Sequence, residues 1–177
     1  NRNLLEQVND TREGQWPLAT VLSCIDSRTS AELIFDQGLG DIFSIRIAGN
    51  FANQDILGSM EFACNVAGCN LVVVLGHSKC GALKGGLDAP QIEGLGMDNL
   101  NHLIYHFESC IHEIIKEGEE RSSKNDDLLD RLTLCNIQKT IEDIRHQSST
   151  LRNLEKEGKI KIVGANYDVE TGVVTWL

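Results

Sequence analysis

The chain alternates between short apolar runs and stretches in which apolar residues recur every three or four positions. The runs are "LATVLSC" (18–24), "DIFSIRI" (41–47), "LVVVLG" (71–76), "KIKIVGANY" (159–167) and "VVTWL" (173–177). Runs of this length, rich in Val, Ile and Leu, read as buried strands of a largely parallel sheet. The fifth follows the turn sequence "DVETG", which predicts a hairpin with the fourth. Four stretches carry the helical period. "SAELIFDQG" (30–38) opens on Ser30 as N-cap and stops at Gly38. "DILGSMEFACNVAG" (55–68) has Asp55 before it, Gly68 after it, and Leu57, Met60 and Cys64 on one side. Residues 98–117 place Leu100, Leu103, Phe107, Cys110, Ile111 and Ile114 in a core-facing stripe, and residues 126–157 form a second long pattern with a break expected near "HQSST". The Gly-rich stretch 84–99 reads as a surface loop. Strand and helix alternate through residue 80, so the predicted class is α/β: a mostly parallel central β-sheet flanked by α-helices, with a C-terminal edge strand. No repeat, linker or low-complexity segment interrupts the pattern, and residues 1–177 are expected to form a single domain.

Composition narrows the partners. A chain of 177 residues with 41% apolar and 24% charged positions suits a domain with a sizeable core. It carries 26 acidic against 16 basic residues, a net charge of −10, and no basic block. That balance argues against nucleic acid or an anionic membrane surface as a partner, and no apolar stretch approaches the length of a membrane span. The opening "NRNLLEQVND" starts mid-pattern without Met, so the native N-terminal arm is expected to be truncated, and it specifies no compartment. Six cysteines would allow three disulfides, but a chain with a real core needs no such staples. Cys64, Cys110 and Cys135 fall inside helical patterns and are expected to be buried free thiols.

Two of the other three cysteines, Cys24 and Cys80, sit in more pointed company. "CIDSR" (24–28) and "GHSKC" (76–80) each follow a strand run. In open parallel sheets, ligand sites gather beyond the carboxyl ends of the strands. If the two strands are neighbours, Cys24, His77 and Cys80 converge on one point. Two thiolates and a neutral imidazole make a soft tetrahedral site for Zn²⁺, and three protein ligands leave a fourth position for water, the pattern of a catalytic site. The bland alternatives are a pair of buried thiols or a disulfide, beside a hydrogen-bonded strand-end histidine. Two thiolates weaken the pull of the metal on its water. Arg28 can hold Asp26 in a two-pronged hydrogen bond that keeps the carboxylate ionised, and Asp26 can then orient that water. Two other roles stay open for Asp26: a purely structural ion pair, or release by Arg28 to ligate the zinc and close the site.

These motifs resemble those of the β-class carbonic anhydrases, over a span from about Gln15 to Tyr167 that is densest from 22 to 86. The resemblance implies zinc on Cys24, His77 and Cys80, and a catalytic dyad of Asp26 and Arg28. It implies reversible hydration of CO₂ to bicarbonate and a proton, by attack of zinc-bound hydroxide. It also implies a homodimer or dimer of dimers, with N-terminal helices packed on the neighbouring subunit. Gln15, nine residues before Cys24, and Phe43 match substrate-binding positions of some members, and the Gly81 amide, at a possible helix start, is a third candidate; the alternatives are a loop residue for Gln15 and plain core for Phe43. A bicarbonate-regulated subgroup has Trp where this chain has Val21. Arg46 of such a pocket remains, but without the Trp that regulation is not expected. Two rival functions share the motifs: hydrolysis of carbonyl sulfide or carbon disulfide on the same scaffold, and a non-catalytic zinc or redox module. His102, His106, His112 and His146 are titratable, but read as exposed helix residues and are not assigned as proton carriers.

Overall fold

A computed structural model describes residues 3–89 and 96–177. The five apolar runs form one sheet: β1 (Ala19–Ser23), β2 (Ile42–Arg46), β3 (Leu71–His77), β4 (Lys161–Tyr167) and β5 (Val174–Trp176), in the order β2-β1-β3-β4-β5. The first four run parallel, and β5 returns antiparallel along β4 as the expected hairpin. β1 and β3, the strands that carry the two motifs, are direct neighbours, with Ser23 paired to Leu75. This register brings the start of "CIDSR" beside the end of β3.

Each face of the sheet has its own apolar layer. Leu22, Val72, Val74 and Ile162 face one way, and Val21, Val73, Leu75 and Ala165 face the other. Beyond the carboxyl ends of the strands a further cluster gathers Cys24, Cys80, Leu83, Phe107, Leu128 and Leu132. The core thus runs directly into the region where the sequence places its chemistry.

The helices are α1 (Leu4–Thr11), α2 (Ala31–Ile34), α3 (Gln54–Glu61), α4 (Gly81–Leu87), α5 (Asp98–Tyr105), α6 (Glu108–Ile114), α7 (Asp126–Gln147) and α8 (Ser149–Lys156). Several boundaries differ from the sequence expectation, each for a local reason. The 30–38 helix is a single turn. Ser30 Oγ donates to Glu32 instead of capping, and Asp36 takes a left-handed φ of 51°, which ends the helix before Gly38. The cap of α3 is Asn53, whose Oδ1 accepts from the Ile56 amide, and Asp55 lies in the first turn. The helix continues as a π turn over Phe62–Val66 before Gly68. The 98–117 stripe breaks into α5 and α6, because the His106 and Phe107 amides bond back only three residues, to Leu103 and Ile104. Leu100, counted in that stripe, is exposed, whereas Ile104, Phe107, Cys110 and Ile111 are buried. The break near "HQSST" falls at Ser148, whose Oγ caps α8 through the Leu151 amide and donates to Glu61. Residues 84–87 belong to α4 and not to a loop, and 90–95 of that predicted loop lie outside the described residues. All six cysteines are free: Cys64 and Cys110 are buried, as expected, and Cys135 is half-buried. Among the described residues no helix is long and apolar enough to cross a membrane.

Candidate metal centre

Cys24 is the residue after β1 and is buried at the carboxyl edge of the sheet. The loop that follows is tied down from two sides. Thr29 Oγ1 donates to the carbonyls of Cys24 (3.2 Å) and Asp26 (2.9 Å). Arg46, at the end of β2, donates Nε to the Cys24 carbonyl (2.9 Å) and a terminal guanidinium nitrogen to the Asp26 carbonyl (2.6 Å). The guanidinium considered above for a bicarbonate pocket therefore braces the loop that carries Cys24 and Asp26.

The sulfur of Cys24 lies 3.9 Å from that of Cys80 and accepts the Gly49 N–H at 3.3 Å. Gly49 follows β2 with φ of +79°, and its carbonyl accepts from Asn136 Nδ2 of α7 at 2.8 Å. His77 ends β3 and is 1% exposed. Its Nδ1 is 2.9 Å from the Ser78 carbonyl. A carbonyl only accepts, so Nδ1 carries the proton and Nε2 is left as an electron-pair donor. That Nε2 is buried without a hydrogen-bond partner. Cys80 is the residue before α4, and Gly81 is the first within it.

One donor atom from each of Cys24, His77 and Cys80 lies within 4.8 Å of the other two. An orphaned buried nitrogen costs roughly 1–3 kcal/mol if nothing pairs with it. A cation shared with the two sulfurs supplies the missing partner, and the soft S/N/S donor set fits zinc. The two sulfurs are also poised for it. The Cys80 thiol, above all, with His77 and the Gly49 amide, outweighs burial and holds the Cys24 thiol well below its ordinary value. Cys80 is pushed up, first because its S–H donates a hydrogen bond to Cys24 and next because it is buried. The Gly49 amide supports a first negative charge on Cys24. A divalent cation is what allows the second on Cys80.

Asp26 stands outside this ligand group. Arg28 donates Nε to Asp26 Oδ1 (2.9 Å), a terminal nitrogen to Oδ2 (2.8 Å) and its backbone N–H to Oδ1 (3.0 Å). The Arg28 side chain is the main reason the Asp26 carboxyl lies well below the usual carboxylate range, against a burial effect of opposite sign.

The structure thus brings together Cys24, His77, Cys80, the adjoining Gly81 and the Asp26–Arg28 pair. It does not bring Gln15 and Phe43 to them within one chain. Gln15 is exposed in the segment before β1. Phe43 pairs with Thr20, four residues before Cys24, which is about 13 Å along the strand. Its ring meets Phe62 edge-on at 6.1 Å. His102, His106, His112 and His146 are exposed, as expected. Sequence reasoning missed Gly49, Thr29, Ser78 and Asn136, and the bracing role of Arg46. One signal for Asn136 was legible: Thr133, Asn136 and Thr140 put polar groups at helical spacing on the buried face of α7. Polar residues in such a stripe need partners, and two of them find Gly49 and Asn50.

Comparison with known proteins agrees with this geometry. The family model for carbonic anhydrase matches residues 19–174. Carbonic anhydrase 2 of Mycobacterium tuberculosis is 33% identical over 159 residues, covering 90% of this chain and 73% of the relative. The solved structure of the β-carbonic anhydrase CcaA superposes with a TM-score of 0.84 at 27% identity, covering 98% of this chain and 84% of that one. A β-carbonic anhydrase of the filamentous ascomycete Sordaria macrospora, described as tetrameric, shares the fold with a TM-score of 0.78 at 21% identity, covering 94% of this chain and 83% of that one. A match running from the first residue of β1 to the first residue of β5, on a sheet that ends in this Cys–His–Cys group, leaves one conclusion: the chain belongs to the β class of the carbonic anhydrase family.

Proposed function

We propose that the chain catalyses the reversible hydration of CO₂ to bicarbonate and a proton, with zinc held by Cys24, His77 and Cys80. The observation that carries this reading is the state of Asp26. Its carboxylate lies outside the ligand group, with both oxygens held by Arg28. A structural metal site has no use for a carboxylate fixed beside it and kept off the metal.

When bound, zinc supplies the Lewis acidity that makes water a nucleophile near neutral pH. The chain does the rest. Two thiolates offset the charge of the cation, so the protein must orient the reacting water by other means. Arg28 keeps Asp26 ionised, and an ionised carboxylate can only accept hydrogen bonds. The lone pairs that Arg28 leaves free on Asp26 accept one O–H of the reacting water and turn the oxygen toward the carbon of CO₂. Thr29 and Arg46 hold the Asp26 backbone while this happens. Gly81 has open space where a Cβ would stand, which leaves room for a bicarbonate oxygen beside its amide.

Gln15 and Phe43 reach such a site only from a second copy of the chain. Leu4, Leu5 and Val8 of α1, with Trp16 and Leu18 after it, are exposed and supply apolar surface for that association. A homodimer or a dimer of dimers follows, with α1 on the neighbouring subunit, and tetramers occur on this fold.

The test is stopped-flow CO₂ hydration by zinc-loaded protein, for the native chain and for Asp26→Ala, with carbonyl sulfide and carbon disulfide run in parallel. Hydration of CO₂ that is lost in Asp26→Ala supports the reading. Undiminished hydration in the variant removes Asp26 from it, and faster turnover of the sulfur analogues reassigns the substrate.

A further inference from the structure

The turn between β4 and β5 reaches across the sheet edge to the residue that fixes the ring of His77. Pairing between β3 and β4 extends to His77 itself, opposite Tyr167. Immediately beyond, every polar group of Ser78 is engaged. Its carbonyl accepts from His77 Nδ1 at 2.9 Å. Its amide donates to the Tyr167 carbonyl at 2.9 Å. Its hydroxyl donates to Asp168 Oδ1 (3.3 Å) and accepts from the Val169 amide (3.0 Å). Asp168 is fixed in turn: the same Oδ1 accepts from the Glu170 amide at 2.8 Å, its amide donates to the Val173 carbonyl at 2.9 Å and its carbonyl accepts from Gly172 at 2.8 Å.

This arrangement has to resist a local tendency to relax. Lys79, between Ser78 and Cys80, adopts a left-handed φ of 55°, which a non-glycine residue does not take without support. The twist brings Cys80 back beneath the strand end, towards Cys24. Lys79 pairs with Glu170 of the same turn, but that contact is exposed and contributes little. The half-buried bonds of Ser78 are what keep its carbonyl aimed at Nδ1.

We infer that the β4–β5 turn, through Ser78 and Asp168, is a positioning element for the metal-binding histidine. Asp168 anchors the turn, the turn anchors Ser78, and the Ser78 carbonyl sets the tautomer and ring plane of His77. A histidine so held presents Nε2 to the cation without first losing rotational freedom, and its basicity is raised by the bond at Nδ1. Neither Ser78 nor Asp168 belongs to the Cys24–His77–Cys80 group. The inference rests on the assignment of His77 as a zinc ligand.

The test measures zinc affinity by chelator competition, using the full chain and zinc alone as probe. The proteins are native, Ser78→Ala, Ser78→Thr, Asp168→Ala and Asp168→Asn, each with the thermal midpoint of its metal-free form. Ser78→Ala and Asp168→Ala are expected to weaken zinc binding roughly 10–100-fold, the range for a lost ligand-orienting partner. Ser78→Thr and Asp168→Asn keep a hydroxyl and an acceptor oxygen and are expected to bind close to the native level. The cobalt-substituted alanine variants should also show a shifted visible spectrum, which a change in fold stability alone does not produce. Native zinc affinity and an unshifted cobalt spectrum in both alanine variants, even with a lowered thermal midpoint, would overturn the inference and leave the turn as scaffold. A native chain that binds no zinc would instead bring down the metal assignment on which the inference depends.

Discussion

Gly49→Ala puts the architecture behind Cys24 under direct test. Gly49 has φ of +79°, and a Cβ built there would lie 2.8 Å from Phe107 Cε1 and closer still to Cζ. The Phe107 ring has nowhere to go. It is 0% exposed, a Cβ on Gly86 would come within 2.9 Å of its Cδ2, and Phe51 packs edge-on at 6.2 Å. Gly68 is the built-in control, with φ of +84° and nothing within 4 Å of an added Cβ. Forcing alanine into the left-handed region costs about 1–2 kcal/mol at either position. Overpacking against a trapped ring adds about 1–3 kcal/mol at Gly49 alone. That difference is a large share of the roughly 5–15 kcal/mol that holds an ordinary domain together. Urea unfolding of the two metal-free variants reads it directly. Equal losses at Gly49 and Gly68 would refute the claim that Phe107 is wedged against the strand-end turn. Zinc affinity adds a second reading, because the Gly49 amide bonds Cys24 Sγ and should move with the backbone. Gly49→Ala is expected to weaken zinc binding, whereas Gly68→Ala is not.

Arg28→Ala is expected to retain zinc but lose turnover by roughly 10²-fold, the scale for one electrostatic group at the reacting centre, because Asp26 is then free to swing onto the metal; normal turnover in zinc-loaded variant would remove the dyad. In the native chain Arg28 holds the Asp26 carboxyl well below the usual carboxylate range, so Asp26 stays ionised as the pH falls through that range. Asn136→Ala removes the partner of the buried Gly49 carbonyl and should cost about 1–3 kcal/mol in denaturant unfolding, with a loss near zero contradicting that bond. Alkylation of zinc-loaded protein near pH 8 should mark Cys135 first, since it is half-buried and its thiol is lowered by Cys110. Cys64, pushed up to about 12 by burial, should stay unreacted, and peptide mapping that finds Cys64 labelled before Cys135 would contradict this.

What was legible in the sequence follows the range of the forces involved. Strand runs and the hairpin were readable because burial on a sheet leaves a continuous apolar signature. "CIDSR" and "GHSKC" were readable because each packs its chemistry into five consecutive residues. Helix ends were less so. Whether Ser30 caps a helix or bonds Glu32 is decided by a side-chain rotation that the sequence does not encode alone. The split at His106–Phe107 depends on a ring filling the space between Gly49 and Gly86, residues far away along the chain. The same distance hid Gly49 and Asn136, whose contacts with Cys24 and with each other span 25 and 87 positions. Arg46 was legible as a charged strand end, but its partners became visible only when β2 paired with β1. Gln15 and Phe43 were legible by position in the motif pattern, yet a single chain keeps Phe43 on its own sheet against Phe62 and leaves Gln15 exposed.

The most direct measurement is metal analysis joined to X-ray absorption of the purified, zinc-loaded chain at alkaline pH. One zinc per chain is expected, bound by two sulfurs at about 2.3 Å and one imidazole nitrogen, with a fourth light atom that persists when Asp26 is replaced by Asn. A chain without stoichiometric zinc, a shell lacking the two sulfurs, or a fourth donor that vanishes with the Asp26 carboxylate would contradict it.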